Sequence, residues 1–290
     1  MTSVDVSQEH LLLGLAAYGL AGSVVETHPG PFEPDEWFHF VRACDTHGLV
    51  GILATAADRG AVTLSDAQAE ELAVREREVA GLSLLVEQRV VRVSSLLSAA
   101  GLAHRLIDGP ARARLGYRDP GTRTFRSATL LVDPAGAALV APLMASTPAR
   151  LQVRSSVTSE DAAVVVGQMS DPPTLLTLAD RHVPTASVEE HLVLACIEVL
   201  TAPLPDLVVM RDLAELALFP AIDPERVRVT ADAWGVPSVV THALAETWRT
   251  FELADRTALS VWAARDEDQQ AHNPRSRRPG GVMGRMARRT

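Results

Sequence analysis

One segment of the chain, residues 117–134, has the residue types and spacing of a site entrance. It reads YRDPGTRTFRSATLLVDP, in which a tight turn and two arginines, Arg123 and Arg126, precede a short apolar strand. Side chains two apart on a strand point to one face, so Ser127 and Thr129 are expected to lie side by side. Carboxylates there would hold a divalent cation, whereas hydroxyls bring no negative charge. The arginines can bind an anionic ligand, although Arg126 also suits an ordinary surface position.

Three aspartates near this segment are the acidic candidates. Asp108 follows an expected strand at the mouth of the presumed cleft, and it either takes part in the site or caps the helix that begins after Gly109. Asp119 belongs to the turn, where its side chain is expected to bond to the backbone. Asp133 ends the apolar strand. Asp108 and Asp133 are the catalytic candidates if the protein is an active enzyme.

The composition narrows the available chemistry. All 27 basic residues are arginine, which excludes a lysine Schiff base, a lysine general base and a lysine phosphate clamp. The net charge of −9 argues against a general nucleic-acid binder. The nine histidines show no paired ligand spacing, and there is no Walker-type loop, dinucleotide glycine pattern or G-x-S-x-G elbow.

Several features bear on where the protein resides. The first ten residues lack the positive region of a secretory signal, and the apolar run at 11–25 is too short to span a bilayer. Cys44 and Cys196 are too few for a metal cluster or a disulfide framework, and both are expected to be small buried side chains. These features indicate a cytoplasmic protein without membrane attachment.

The N-terminal third is expected to be helical. Residues 7–57 have helical patterns with a break at 26–34, after which Asp35 can cap a helix. A capping box opens a long amphipathic helix at 66–100, and Gly101 ends it.

The segment 102–157 has a different character. Short strands are expected at 102–107, 128–132 and 149–157, with a helix of about two turns between the first two. This order of strand, helix and strand predicts a small α/β unit inserted between helical regions.

From about residue 171 the chain is again expected to be helical. Asp223 caps one helix, Gly235 closes it, and a final helix is expected at 238–265. The arginine-rich tail at 269–290 is predicted to be disordered and to balance charge.

The sequence therefore predicts a mostly helical α+β fold, with a small mixed sheet flanked by N- and C-terminal helical regions. The expected units are an N-terminal helical region at 1–101, a small α/β core at 102–170, a C-terminal helical region at 171–268 and the tail at 269–290.

Residues 96–134 resemble a family of bacterial uncharacterised nucleotidyltransferases in the polymerase-beta-like superfamily. Members of that family resemble one another in three features: a long helix ending L-x-x-A-G-I, a strand ending L-K-G and the pattern Y-x-D-P-G-x-R-P-M-x-D-x-D-L-L-V. The resemblance extends more weakly over about residues 35–255 and implies a nucleotidyltransferase-like sheet. The matching residues are Ala100, Gly101, Leu102, Gly109, Tyr117, Asp119, Pro120, Gly121, Arg123, Leu130, Leu131 and Val132.

The departures from the family pattern fall on its metal positions. The resemblance implies transfer of a nucleotidyl group from an NTP by divalent metal held between two aspartates. Those positions fall on Ser127 and Thr129, and the family's lysine falls on Asp108. The third acidic position falls in LQVRSS, which has no carboxylate. Losing these anions is expected to weaken metal binding by several kcal/mol.

We therefore expect a nucleotidyltransferase-like protein that has lost metal-dependent transfer and acts as a ligand-binding, regulatory or assembly protein. The alternatives are an active enzyme that uses Mg²⁺ and an NTP with acids relocated to Asp108 and Asp133, and an unrelated helical scaffold. A nucleotide or a protein is the expected partner, with no membrane and no specific nucleic acid, and the oligomeric state is left open. No residue is predicted to ligate metal. The ligand-binding candidates are Gly109, Arg123, Ser127 and Thr129.

Overall fold

The computed structural model describes most of the chain in six stretches. They are residues 3–23, 31–144, 150–159, 162–202, 207–254 and 256–272. Within them the fold is α+β and mostly helical, with a small mixed five-stranded sheet, as the sequence predicts. No helix in the described stretches is long and apolar enough to cross a membrane.

The N-terminal region forms three short helices and one long one. The second helix begins after Glu33, whose carboxylate and that of Glu36 form a capping box, so Asp35 is not the cap but lies in the first turn. Its negative charge there still favours the helix through the helix dipole. The four helices are α1 at Ser3–Ala17, α2 at Pro34–Thr46, α3 at Val50–Asp58 and α4 at Asp66–Ala99.

Helix α4 confirms the predicted long helix. Ser65 and Gln68 form the capping box at its start, and Gly101, at φ +70°, follows its C-cap residue. Its apolar stripe is buried against the rest of the chain, which explains the stability of so long a helix. The buried stripe consists of Leu72, Val79, Val86, Val90, Val93 and Leu97.

The three predicted strands of the middle segment are present and lie in one sheet. Strands β1 and β2 are antiparallel, and β2 and β3 are parallel. The intervening helices return the chain between them. The elements are β1 at His104–Leu106, α5 at Pro110–Gly116, β2 at Ser127–Val132, α6 at Pro134–Met144 and β3 at Arg150–Arg154.

The sheet also contains a hairpin in a region that was predicted to be helical. After a small two-stranded sheet, β4 at Val157–Thr158 and β5 at Ala163–Val164, the chain forms β6 at Thr174–Leu178 and β7 at Arg181–Thr185. The five-stranded order is β3-β2-β1-β7-β6. Residues 171–185 are therefore not helical. The hairpin turn, at 179–180, uses two positive-φ residues without glycine, so the usual turn signal was missing.

The C-terminal region is helical from residue 188. The predicted final helix at 238–265 is wrong in its extent, because it is divided into two helices with a turn at 251–252. Residues 269–272 of the predicted tail form the end of the last helix, and 273–290 lie outside the described residues. The helices are α7 at Val188–Thr201, α8 at Leu207–Leu218, α9 at Pro224–Ala233, α10 at Pro237–Thr250 and α11 at Ala258–His272.

Two hydrophobic clusters organise these elements. The larger joins α1–α3 with α7–α10, so residues from both ends of the sequence share one core. The smaller lies between the second half of α4 and the five-stranded sheet. Cys44 and Cys196 are fully buried in the larger cluster, which confirms their predicted role as small buried side chains. At the junction of the two clusters, where β1, α5, β2, α7 and α8 meet, several buried side chains are charged, among them Arg112 and Asp212.

Candidate functional site

Asp108 lies between β1 and α5 and is held against β2. Its Oδ1 accepts a hydrogen bond from the backbone N–H of Thr129 at 2.5 Å, and its Oδ2 accepts one from the Thr129 hydroxyl at 2.6 Å. No side chain caps α5, whose N-cap residue is Gly109. The interpretation of Asp108 as a helix cap is therefore wrong, and its carboxylate instead ties the α5 entrance to β2.

The surroundings of Asp108 disfavour its charged form. Burial raises the pKa of its carboxyl, and the neighbouring carboxylate of Glu198 raises it further. Arg112 and the hydrogen bonds from Thr129 lower the pKa without cancelling that effect. The raised pKa and the two hydrogen bonds from Thr129 both make Asp108 a weaker ligand for Mg²⁺, which prefers anionic oxygen.

Gly109 is required by the close approach of two chain segments. It has φ +48°, in the region that favours glycine, and a Cβ atom at this position would come within 2.6 Å of the Ser127 backbone oxygen. The match with the family glycine therefore has a structural reason, and the residue shapes the cleft without offering a side chain to a ligand.

Replacing Gly109 with alanine is expected to lower the free energy of unfolding by about 1–3 kcal/mol, because strain and a backbone clash coincide. Gly81→Ala is the control, since Gly81 lies within α4 and nothing lies within 4 Å of the added Cβ. That substitution is expected to stabilise the helix by about 0.5–1 kcal/mol. Urea denaturation of both variants measures the difference. If Gly109→Ala proved no more destabilising than Gly81→Ala, the β2 backbone at Ser127 would have to shift easily to make room for the added Cβ.

Ser127 and Thr129 share one face of β2, as predicted from their spacing. In the parallel pairing with β3, Thr129 lies opposite Gln152. Ser127, Thr129, Gln152 and Arg154 all line a cavity of about 400 Å³ beside Asp108. This face of the sheet is therefore an open, polar surface.

A second cavity, of about 170 Å³, adjoins the first. The two cavities share four lining residues, and together we call them the cleft. Gly109 and Arg123 line the second cavity, so the cleft brings together five predicted site residues: Asp108, Gly109, Arg123, Ser127 and Thr129. The shared lining residues are Asp108, Arg112, Ser127 and Glu198.

Arg112 supplies a buried positive charge at the centre of the cleft. It lies on α5, is 2 % exposed, and its Nη1 is 2.7 Å from the Glu198 Oε2 on α7. The same Nη1 is 3.7 Å from the carboxylate of Asp212. Its Nε has no hydrogen-bond partner among the described residues. Arg112 therefore holds two acids of different helices beside Asp108.

Asp212, on α8, is the centre of the buried network behind the cleft. It is fully buried and accepts hydrogen bonds from Arg123 Nε at 2.7 Å and Nη2 at 2.9 Å, and from the Tyr117 hydroxyl at 2.7 Å. Burial alone would raise the pKa of Asp212, but Arg123, Arg112 and Tyr117 lower it below its ordinary value. The guanidinium of Arg123 thus forms its bidentate pair with Asp212 inside the protein and not with a ligand.

Asp133 does not belong to the cleft. It follows the far end of β2, about 20 Å along the strand from Ser127 at the usual rise per residue, and its Oδ1 accepts a hydrogen bond from the backbone N–H of Gly136. Arg126 is exposed and forms an ion pair with Asp45, in agreement with a surface role. The two predicted catalytic acids, Asp108 and Asp133, are therefore not brought together.

Three residues that define the site were not predicted from the sequence. Arg112, Glu198 and Asp212 each lie in a helix whose other residues are largely apolar and buried. The charges of Arg112 and Asp212 within such buried runs were the available signal, because a buried charge needs a partner. The partners are far apart in sequence, so the pattern alone could not pair them.

The carboxylates that line the cleft already have partners. Asp45 pairs with Arg126, Asp108 bonds to Thr129, and Glu198 pairs with Arg112. Within the described stretches, no group of three or more His, Cys, Asp or Glu side chains is arranged to hold a metal ion.

Comparisons with known proteins give no relative: no family model, curated protein or solved structure matches the chain. The resemblance to nucleotidyltransferases therefore stays a prediction that depends on the residues of the turn and β2.

Proposed function

We propose that this chain is a nucleotidyltransferase-like protein without metal-dependent nucleotidyl transfer, and that its cleft binds a small polar ligand with a nucleotide as the first candidate. One observation carries the proposal. Ser127 and Thr129, at the positions of the family's metal carboxylates, share one face of β2 and line the cleft beside Asp108. The shared face of these two uncharged side chains supports a ligand site in which the family's metal carboxylates are replaced.

The charges around these hydroxyls support ligand binding more than phosphoryl chemistry. Metal-assisted transfer needs anions that hold the cation and cations free to stabilise the transferring phosphate. Here Asp108 is held by Thr129, and Arg123 is held by Asp212. A fold can persist after its site chemistry has changed, because function depends on the site. Regulation or assembly, driven by ligand binding, is the proposed role.

The ligand is expected to be polar because the accessible groups of the cleft are polar. Ser127 and Thr158 offer hydroxyls, Gln152 offers an amide, and Arg154 is an exposed cation whose guanidinium bonds to that amide. Such groups recognise sugar hydroxyls, base edges and phosphate oxygens.

The test is an assay with α-labelled NTPs and Mg²⁺ or Mn²⁺, combined with thermal unfolding. We expect no labelled product, and we expect any rise in the unfolding midpoint with nucleotide to be independent of metal, since the ligand needs no cation bridge. Asp108→Asn and Asp133→Asn are a matched pair, because only Asp108 faces the cleft. Labelled product, or a metal-dependent shift, that Asp108→Asn abolishes and Asp133→Asn leaves unchanged would favour the active-enzyme alternative.

A further inference from the structure

A separate cavity of about 530 Å³ lies on the other side of the turn at 117–123. We call it the arginine cavity. The turn divides it from the cleft, because Tyr117, Arg118 and Thr122 face the arginine cavity whereas Arg123 faces the cleft. Its volume is within the range of small-molecule sites. The lining residues are Tyr18, Gly19, Ile52, Thr55, Arg59, Tyr117, Arg118, Asp119, Thr122, Arg211 and Glu215.

The positive charges of the arginine cavity exceed its negative charges. Arg59, Arg118 and Arg211 line it, against the two carboxylates of Asp119 and Glu215. The Asp119 Oδ1 accepts the backbone N–H of Gly121 at 3.0 Å, and Glu215 is paired with Arg211 at 2.8 Å. Both acids are therefore already engaged, and no other described acid lines the cavity to compensate the outer two arginines.

Arg59 and Arg118 are the arginines of this cavity without a partner in the described stretches. Both are exposed, and neither forms an ion pair or side-chain hydrogen bond with any residue that the structure describes. Arg59 follows the last residue of α3, where the helix dipole favours a positive charge without any ligand. Arg118 lies in a turn and has no such reason to be there. Both line the same cavity, where an anion bound between them would offset their positive charges.

Arg211 forms the rigid base of the cavity. It is 6 % exposed, and its Nη1 donates to the backbone oxygens of Ala16 at 2.6 Å and Tyr18 at 2.8 Å. Its Nε has no partner among the described residues, and its guanidinium lies 5.8 Å from the centroid of the Tyr117 ring. A buried charge fixed in this way, with a donor unused, is a feature of a built anion site.

We propose that the arginine cavity binds a small organic molecule through a phosphate group. Arginine forks match phosphate in a bidentate manner, and Arg59 and Arg118 are free to close on it from two separate segments. The side chain of Tyr18, which is partly buried, provides a flat surface for the organic part. The ligand binds outside the cleft, so this site is independent of the function proposed above.

Calorimetric titration of the full chain in a phosphate-free buffer tests this site with pyrophosphate, AMP, adenosine and acetate. We expect AMP and pyrophosphate to bind, and adenosine and acetate not to bind. Arg59→Gln combined with Arg118→Gln is expected to weaken binding at least about tenfold, because charge-assisted hydrogen bonds are lost. Both side chains are exposed, so the variant should fold.

Two control variants distinguish binding in the arginine cavity from binding in the cleft or at surface charges. Arg92→Gln removes an exposed charge on α4 outside the cavity, and Arg154→Gln removes one from the cleft. Arg92→Gln is expected to bind AMP as the unmodified chain does, whereas Arg154→Gln is expected to affect only nucleotide that is bound in the cleft and to leave binding in the arginine cavity unchanged. The proposal is overturned if neither phosphate probe binds at millimolar concentration, if acetate binds as tightly as AMP, or if Arg154→Gln weakens binding and the double variant does not.

Discussion

Replacing Asp212 with alanine is expected to lower the free energy of unfolding by about 3–5 kcal/mol, the cost of leaving a buried charge without its partner. Arg123 would lose both bonds of its bidentate pair, and the Tyr117 hydroxyl would lose its acceptor. Arg123 is 8 % exposed, so water cannot replace the carboxylate without opening the interior. This is a large fraction of the stability of an ordinary domain.

Urea denaturation followed by circular dichroism measures the effect. Asp232→Ala is the matched control, because Asp232 is an exposed aspartate near the end of α9 and is expected to change stability little. A second variant, Arg123→Met with Asp212→Leu, removes both charges and is expected to lose less than Asp212→Ala. A loss below about 1 kcal/mol for Asp212→Ala would mean that the network contributes little to the fold.

The contribution of Asp212 to the free energy of unfolding depends on pH in a direction that its pKa determines. Because the folded protein lowers the pKa of Asp212, the charged carboxylate stabilises the fold above its ordinary pKa. That contribution is lost as the pH falls towards the lowered pKa of the folded state. The difference in stability between the unmodified chain and Asp212→Ala should therefore narrow in acid.

The features that the sequence predicted correctly depend on local patterns. The turn at 119–121, the shared face of Ser127 and Thr129, and the long helix at 66–100 each follow from turn residues or from a period of two or 3.6. Each of these patterns depends only on residues that are close together in the sequence. They were sufficient to place five residues around one cleft.

The features that it missed depend on contacts between distant segments. The Tyr117–Asp212 bond joins residues 95 apart, and the Arg123–Asp212 pair joins residues 89 apart. Arg123 was expected to meet a ligand, whereas its partner is an acid from α8. A sequence pattern shows that a charge is buried, but the fold decides which charge it meets.

The segment at 117–123 links the two cavities. Tyr117 contributes its ring to the arginine cavity and its hydroxyl to Asp212, which in turn holds Arg123 at the cleft. α3 packs so closely against this turn that a Cβ on Gly51 would come within 2.5 Å of the Thr122 backbone oxygen. Helix α3 therefore supports the turn that lies between the two cavities.

Introducing Ser127→Asp and Thr129→Asp together is expected to create a site for Mn²⁺ or Mg²⁺. The two new carboxylates would face the cleft beside Asp108, which would lose the hydroxyl it now accepts from. Repulsion among three acids should destabilise the metal-free variant, and a divalent cation should relieve that repulsion. At a metal concentration of 100 times the dissociation constant, the gain is about 2.7 kcal/mol.

Thermal unfolding with and without Mn²⁺ measures this gain, and the unmodified chain should show no comparable shift. The control is Leu175→Asp with Thr177→Asp, which places two aspartates at the same spacing on the exposed face of β6 without a third acid provided by Asp108. It is expected to respond weakly, because two solvated carboxylates hold a hard cation poorly. If the cleft variant folds and does not respond to millimolar Mn²⁺, Ser127 and Thr129 do not occupy the metal positions, and the nucleotidyltransferase resemblance loses its central support.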